Sequence, residues 1–255
     1  MNNYGEAKGR SILGGNKLMK ARLCAAVLTA LISVFVLAST SRAQVTNLAP
    51  GQTINLASVL DATGKSVQIG DKLFDDFFFS YIDTDNNVLN ELVAADVTLT
   101  ALANDIGFGL SFQTPLITFS NVVKDIVVKY SVLVLDPNQK ISDAHLSFSA
   151  SVLGLGTADV NESLYTGGFG ANQLDSFSVH LPPPGFGSTG VVFSTPQVKI
   201  YMEKDVVVSG NGSTINDRAS ITIINQTFSQ IPEPSALVLV GAGLSGLLFF
   251  RRRSR

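Results

Sequence analysis

Alternation of apolar and polar residues dominates the middle of this chain and restricts the folds that it can form. In the segment DAHLSFSASVLGLG, Leu146, Phe148, Ala150 and Val152 alternate with His145 and three serines. Successive side chains of a strand point to opposite faces, so this segment predicts a strand with one buried and one solvated face. The segments DSFSVHL and QVKIYME alternate in the same way and predict two more strands.

Other segments favour strands through their composition. FDDFFFSYI, DIVVKYSVLVL and ASITIINQTF are rich in β-branched and aromatic residues, which fit a pleated, half-buried surface. Turn signals at residues 136–138, 167–168 and 210–212 separate the segments. Many short strands at this spacing predict an all-β body, an antiparallel β-sandwich. Only residues 90–102 hint at a helix, and the proline-rich stretch 182–187 is the best candidate for a linker.

Charge is distributed unevenly along the chain. Residues 44–230 contain 8 Lys and Arg against 18 Asp and Glu, a net charge of −10, whereas residues 1–43 carry +5 and residues 231–255 carry +3. Because binding to nucleic acid depends on Lys and Arg displacing counterions, the acidic body argues against a nucleic acid partner. No motif in the body predicts a cofactor.

The chain contains one cysteine, Cys24, in its N-terminal segment. The body therefore has no disulfide, no thiolate nucleophile and no cysteine metal ligand. We expect its stability to come from burial, since a domain of this size buries roughly 70% of the surface that its unfolded chain exposes.

The first 43 residues have the parts of a secretory signal peptide. Two basic residues precede an apolar run at residues 23–38, and a small-x-small site predicts cleavage between Ala43 and Gln44 by signal peptidase. Met19 opens this signal and is an alternative start of the protein. As a helix the run would span only about 24 Å, less than the roughly 30 Å of the hydrocarbon core, so a cleaved signal is favoured over a permanent anchor.

The last 25 residues contain a proline-rich motif, an uncharged stretch and an arginine cluster. In chain order these are Pro232, Glu233 and Pro234, then residues 235–250, then Arg251, Arg252 and Arg253. The uncharged stretch predicts a single transmembrane helix, and the positive-inside rule keeps the arginines in the cytoplasm. The prolines disfavour helical backbone before the membrane, so we expect an extended, accessible motif there.

This order of features resembles the PEP-CTERM sorting signal of Gram-negative bacteria. In that family a membrane-embedded exosortase is taken to process the signal, so the resemblance implies an exosortase-type partner that acts at Pro232, Glu233 and Pro234. The segments GKSVQIGDKLFDDFFFSYID and VVKDIVVKYSVLVLDPNQKISDAHLSFSAS also resemble the middle regions of many PEP-CTERM proteins. That second resemblance implies no activity.

Acidic residues offer one incomplete metal motif. Asp83, Asp85 and Asn87 place oxygen ligands at alternate positions, but the Gly and Glu that complete a calcium loop are replaced by valine and alanine. A polar turn after a strand is the favoured interpretation, with calcium as the alternative. Asp75 and Asp76 are adjacent, so regular alternation would place them on opposite faces and prevent them from acting as a pair.

Two histidines are the only imidazoles in the chain. His145 and His180 both fall on the polar faces of predicted strands, flanked by serines, and the sequence shows no acidic partner or nucleophile for either. The common hydrolase motifs G-x-S-x-G and H-E-x-x-H are absent. We therefore interpret both histidines as solvated surface residues and predict no catalytic site.

The sequence thus predicts a signal peptide at residues 1–43, a β-sandwich body at residues 44–230 and a sorting signal at residues 231–255. The favoured function is that of an exported, non-enzymatic protein of the cell envelope or extracellular matrix, associated with exopolysaccharide or biofilm. A carbohydrate-binding module is one alternative, although the chain has no Trp and only 5 Tyr. A plain tail-anchored periplasmic protein and an enzyme of unfamiliar type are the others.

Overall fold

The structure is a computed structural model that describes residues 44–84, 91–181 and 185–232. These residues form thirteen strands and three short 3-10 segments. The strands are β1 (Gln44–Asn47), β2 (Thr53–Asn55), β3 (Lys65–Ile69), β4 (Lys72–Asp83), β5 (Thr98–Ala103), β6 (Phe108–Phe119), β7 (Val123–Val134), β8 (Gln139–Leu153), β9 (Thr157–Thr166), β10 (Asn172–Leu181), β11 (Gly185–Gln197), β12 (Lys199–Ser209) and β13 (Arg218–Pro232).

The strands form two sheets that bury a common core. Sheet A has the order β1-β3-β4-β7-β12-β9-β10, and sheet B has the order β11-β8-β13-β6-β5-β2. The prediction of an all-β, sandwich-like body is confirmed. It is not wholly antiparallel, because the edge strand β1 pairs with β3 in parallel.

Burial follows the predicted alternation closely. On β8 the side chains of Leu146, Phe148 and Val152 lie in the core, while those of His145 and Ser147 face outward. The prediction for the QVKIYME segment is confirmed for Ile200 and Met202, which are buried. It is wrong at the start of the segment, where Val198 lies between two strands and is 43% exposed.

The hint of a helix at residues 90–102 is wrong. Ala94–Asp96 form a single 3-10 turn, and β5 then begins at Thr98 as an alternating strand of sheet B. Residue 90 lies outside the described residues. Valine and threonine supply a strand propensity that the weak helical pattern did not outweigh. Among the described residues, no helix is long and apolar enough to cross a membrane.

The last strand occupies a central place in its sheet. β13 pairs along its length with β8 on one side and β6 on the other. The strands on either side of residues 182–184 belong to the same sandwich. β10 is an edge strand of sheet A, and β11 pairs with β8 in sheet B. The proline-rich stretch therefore joins two layers of one sandwich.

An aromatic cluster fills the middle of the core. The ring of Tyr130 is fully buried and lies 5.4 Å from Phe112, 5.7 Å from Phe77 and 6.3 Å from Phe74, measured between centroids. Phe74 in turn lies 6.2 Å from Phe228 of sheet B. Aromatic pairs at these distances contribute about 0.5–1.5 kcal/mol beyond their buried area, so this cluster helps to hold the two sheets together.

Two carboxylates lie close together on the outer face of sheet A. Asp125 on β7 and Asp205 on the neighbouring β12 are near enough to share a proton. Burial, together with the hydrogen bond and charge of Asp205, raises the pKa of Asp125 to about 6. A free aspartate has a pKa of about 3.9. The folded state therefore holds this proton more tightly than the unfolded state does, and the associated stability is lost as the pH rises from about 4 through about 6.

We predict that Asp125→Asn raises the thermal unfolding midpoint at pH 7.5 and leaves it nearly unchanged at pH 4.5. The amide cannot ionise, so it removes the repulsion that appears only above the raised pKa. Thermal denaturation at both pH values measures the effect, with the exposed Asp105→Asn as control. Equal shifts at the two pH values would contradict the shared proton.

Candidate functional site

A bulge in β4 creates the most unusual local geometry on the outer face of sheet A. The pairing of β4 with β7 shifts register between Asp75 and Phe78, and Asp76 adopts a left-handed backbone with φ 58°. A residue other than glycine is rarely found there, and such strain clusters at functional sites. The bulge sends Phe77 into the core and leaves Phe78 48% exposed.

The carboxylate of Asp76 is held by two donors. It accepts a hydrogen bond from the buried Ser131 hydroxyl at 2.7 Å and one from Lys199 Nζ at 3.0 Å. Burial alone would raise the pKa of Asp76, but these two hydrogen bonds outweigh it and the pKa is lowered. The ion pair in turn raises the pKa of Lys199 against the effect of its own burial. Both groups are therefore charged at neutral pH.

Aromatic rings surround this ion pair. Lys199 Nζ lies 4.6 Å from the centroid of Tyr201, and Phe169 meets Tyr201 edge-on at 5.2 Å. Lys129 Nζ lies 5.8 Å from the centroid of Phe78 and pairs with Glu203 at 3.0 Å. Cation–π contacts of this kind hold lysines over ring faces.

Together these residues line a cleft of about 550 Å³, which we call the aromatic cleft. Its lining consists of Asp61, Asp76, Phe78, Lys129, Gly168, Phe169, Lys199 and Tyr201. Apolar ring surface next to fixed charged donors and acceptors suits a ligand with both apolar and hydroxyl-bearing faces. The three rings come from β4, β12 and the β9–β10 connection.

A second, more polar depression lies on the outer face of sheet B. It has a volume of about 340 Å³, and its lining includes His145, Ser147, Ser188, Asn225 and Thr227. Gly190 makes room beside the imidazole, because a Cβ at that position would lie 2.7 Å from its Nδ1.

The prediction that neither histidine has an acidic partner is wrong. His145 Nε2 lies 3.0 Å from Asp143, two residues earlier on β8, so both side chains share one face. His180 on β10 pairs with Asp159, which lies directly opposite on β9. The sequence conceals the second pair because strand register brings the two residues together. Both imidazoles are on the surface as expected, with side chains 40% and 50% exposed.

Among the described residues, no hydrogen bond joins either histidine to a serine hydroxyl. His145 is engaged with Asp143, and the nearby Ser147 hydroxyl accepts from Asn225 at 3.5 Å. A nucleophile–base contact of about 2.6–3.2 Å is the geometric mark of an activated serine. The depression on this face is therefore polar but lacks the serine–histidine contact of an activated nucleophile among the described residues.

The proposed calcium ligands are only partly described. Asp83 accepts a hydrogen bond from the Tyr81 hydroxyl at 2.9 Å and lies 3.7 Å from Lys124 Nζ. Asp85 and Asn87 lie outside the described residues. Asp75 and Asp76 do not alternate regularly as expected, since the bulge interrupts the strand between them and Phe78.

The predicted processing sites fall at the limits of the described structure. β1 begins at Gln44, and Ala43 lies outside the described residues. Pro232 is extended, exposed and paired with Gln139 of β8. The remaining sorting residues, Glu233, Pro234, Arg251, Arg252 and Arg253, and the predicted transmembrane helix also lie outside them.

The aromatic cleft is not recognisable from the sequence alone. The run FDDFFF contains an unusual pair of aspartates between aromatic residues, which was the one available signal. The left-handed conformation of Asp76 and its contact with Lys199, 123 residues away, depend on the fold.

Several solved structures share a partial likeness with this chain. The enzymatically active domain of bacteriophage CBA120 tailspike protein 4 is 16% identical with a TM-score of 0.28, and the match covers 61% of this chain and 19% of that one. TmCBM61, in complex with beta-1,4-galactotriose, is 8% identical with a TM-score of 0.29 and coverages of 59% and 88%. The family 11 carbohydrate-binding module from Clostridium thermocellum is 10% identical with a TM-score of 0.24 and coverages of 60% and 86%. Likenesses at these scores assign neither a ligand nor an activity to this chain.

No curated protein sequence matches the chain significantly. The family model described as the PEP-CTERM protein-sorting motif matches residues 230–253, which include Pro232, Glu233, Pro234 and the first arginines. The match confirms the resemblance inferred from those residues. Residues 230–253 of this chain thus carry the PEP-CTERM protein-sorting motif.

Proposed function

We propose that this protein is a non-enzymatic component of the cell envelope or extracellular matrix, delivered there by its two targeting segments. The observation that carries the proposal is the PEP-CTERM motif at residues 230–253. Such a motif implies export to the envelope or beyond and processing of the exosortase type. The acidic, cysteine-free sandwich then acts through its surface.

The proposed route has three steps. Signal peptidase removes residues 1–43 as the body crosses the inner membrane. Residues 235–250 then stop translocation, with Arg251, Arg252 and Arg253 retained in the cytoplasm. An exosortase-type enzyme cuts at the Pro-Glu-Pro motif and releases the body to the envelope or to an exopolysaccharide matrix.

We predict that replacing Pro232, Glu233 and Pro234 with alanines, or deleting residues 251–255, leaves an unprocessed precursor in the inner membrane. The first change removes the motif that is cut, and the second removes the arginines that orient the segment for processing. Mass spectrometry of protein from the producing cells measures the products. Full-length wild-type protein at steady state would instead support a plain tail anchor.

From the position of β13 we infer that one end of the sandwich lies near the bilayer during this route. Pro232 is paired with Gln139 at the first residue of β8, and only two residues separate it from the uncharged stretch. Three Cα-to-Cα steps of an extended chain span at most about 11 Å. The β7–β8 turn therefore lies next to the membrane until the motif is cut.

Single cysteines test this arrangement, because the body has none of its own. In a Cys24→Ser background, Leu135→Cys provides a label beside that turn, and Ile215→Cys provides one in the β12–β13 connection at the opposite end. We predict that lipid-borne quenchers reduce fluorescence at position 135 and spare position 215 in the membrane-inserted precursor. The two sites are separated by about ten strand residues, or roughly 33 Å.

Carbonate extraction shows first whether the precursor is inserted, so failed anchoring is distinguished from a wrong orientation. Quenching of equal strength at both positions in an inserted precursor would contradict the arrangement.

Carbohydrate binding is a second candidate function, and the aromatic cleft supports it. Tyr201, Phe169 and Phe78 offer ring surface for the apolar faces of sugar rings, and the Asp76–Lys199 pair offers a charged acceptor and donor for hydroxyls. Rings held by lysines and by each other lose little freedom when a ligand binds. A matrix polysaccharide is the class of ligand that fits the proposed location.

We predict that Tyr201→Ala weakens polysaccharide binding about tenfold or more, because a central aromatic contact is typically worth over 1 kcal/mol. Affinity electrophoresis in gels that contain exopolysaccharide from the producing cells measures the change. Phe119→Ala removes a half-exposed ring from sheet B and serves as the matched control. No retardation of the wild-type protein, or equal loss in both variants, would eliminate the cleft as a sugar site.

A further inference from the structure

Three polar side chains meet in the apolar interior between the two sheets. Glu162 on β9 and Lys204 on β12 lie directly opposite each other in sheet A, and Gln226 faces them from β13 in sheet B. Each is at most 1% exposed. Neighbouring inward positions on these strands carry Val206, Leu164 and similar residues, so bulk water is excluded from the group.

The lysine contacts both partners. Lys204 Nζ donates a hydrogen bond to Glu162 Oε2 and another to Gln226 Oε1 at 2.5 Å. This second contact places the amine against the carbonyl group of the glutamine amide. It also bridges the sandwich, because the two residues belong to different sheets.

The group contains polar atoms that hydrogen bonding leaves unused. Glu162 Oε1, Gln226 Nε2 and the hydroxyl of the adjacent Tyr130 are buried and have no hydrogen-bond partner among the described residues. An unsatisfied buried polar atom typically costs about 1–3 kcal/mol. Three such atoms in and next to one ion pair are poorly explained if the pair serves only to stabilise the core.

Burial favours the neutral forms of both ionisable partners. It lowers the pKa of Lys204 and raises the pKa of Glu162, while the attraction between them acts in the opposite direction. A proton can therefore pass from the ammonium to the carboxylate within the pair. The neutral amine that results is a nucleophile, and the neutral carboxylic acid is a proton donor.

We propose that Lys204 and Gln226 join in an intramolecular isopeptide bond, with Glu162 as the proton carrier. After Lys204 has lost a proton to Glu162, its neutral Nζ attacks Gln226 Cδ. The neutral acid of Glu162 donates that proton to Gln226 Nε2 as the bond between Cδ and Nε2 breaks, and the resulting carboxylate accepts the surplus proton from the new amide nitrogen. An amine and a primary amide thus become a secondary amide and ammonia, with no oxidant, reductant or cofactor.

The bond would give this fold a covalent cross-link, which the cysteine-free body cannot form as a disulfide. The body contains no cysteine, and its two sheets are held together by side-chain packing. A link between residues 22 positions apart ties β12 of sheet A to β13 of sheet B. Like a disulfide, it would stabilise the protein by restricting the unfolded chain, and reductants would not break it.

Peptide mapping of the wild-type full-length chain and of its processed form tests the proposal. In an unlinked chain, trypsin cuts after Lys199, Lys204 and Arg218. In the linked chain, cleavage after Lys204 is blocked, and residues 200–218 appear joined to the peptide that begins at Ala219. We expect this branched species at the summed mass of its parts less one ammonia.

Two other reactions must be distinguished from this bond. Succinimide formation at Asn211–Gly212 also releases ammonia, but it leaves cleavage after Lys204 intact. A bond between Lys204 and Glu162 would release water instead, and that product would overturn the proposal. Fully linear peptides from folded wild-type protein would overturn it as well.

Variants assign the roles. Glu162→Gln retains the amine and the acyl group but removes the proton carrier, so we expect linear peptides. Gln226→Leu should give the same result, and Gln230→Leu, which changes another glutamine of β13, should retain the link. A link that persists in Glu162→Gln would contradict the role of Glu162. If a variant does not fold, the wild-type map still decides whether the bond exists.

Discussion

The fold depends on the pairing of β13 in the centre of sheet B. This strand lies between β8 and β6 and contributes Ile221, Ile224 and Phe228 to the core. Without it, β11 and β8 would lose their contact with the rest of the sheet. β13 is the last strand described and runs directly into the sorting motif. The sandwich can therefore be completed only after the residues next to the proposed membrane segment have crossed the membrane.

Burial between the sheets provides the cohesion that a disulfide cannot provide here. The rings around Tyr130 connect inner residues of both sheets, and the Lys204 group crosses between them at another point. The outer faces consequently carry most of the unusual chemistry. The β4 bulge, the aromatic cleft and the two histidine–aspartate pairs all lie there, where strained backbone and charged groups do not disturb the core.

Local patterns predicted the strands well, because buried and exposed side chains alternate along a strand and apolar and polar residues alternate along the sequence with the same period of two. On β8, His145, Ser147, Ser149 and Ser151 faced outward as expected. Prediction failed where contacts join distant positions. The pairing of His180 with Asp159 depends on strand register. The contact of Asp76 with Lys199 depends on a bulge that regular alternation does not predict. The burial of Lys204 and Glu162 was equally unpredictable from the sequence, because charged residues are almost never fully buried unless they are paired.

The sequence by itself determined the sorting motif, the strand-forming character of the body and the exclusion of disulfides, since each depends on residue types at short range. Only the tertiary structure decided which strands share a sheet, where β1 runs parallel, and which side chains meet in the cleft and in the core. The physical reason is that hydrogen bonds and charges act over a few ångströms in space. Residues 22 or 123 positions apart come within that range only after the sheets have formed.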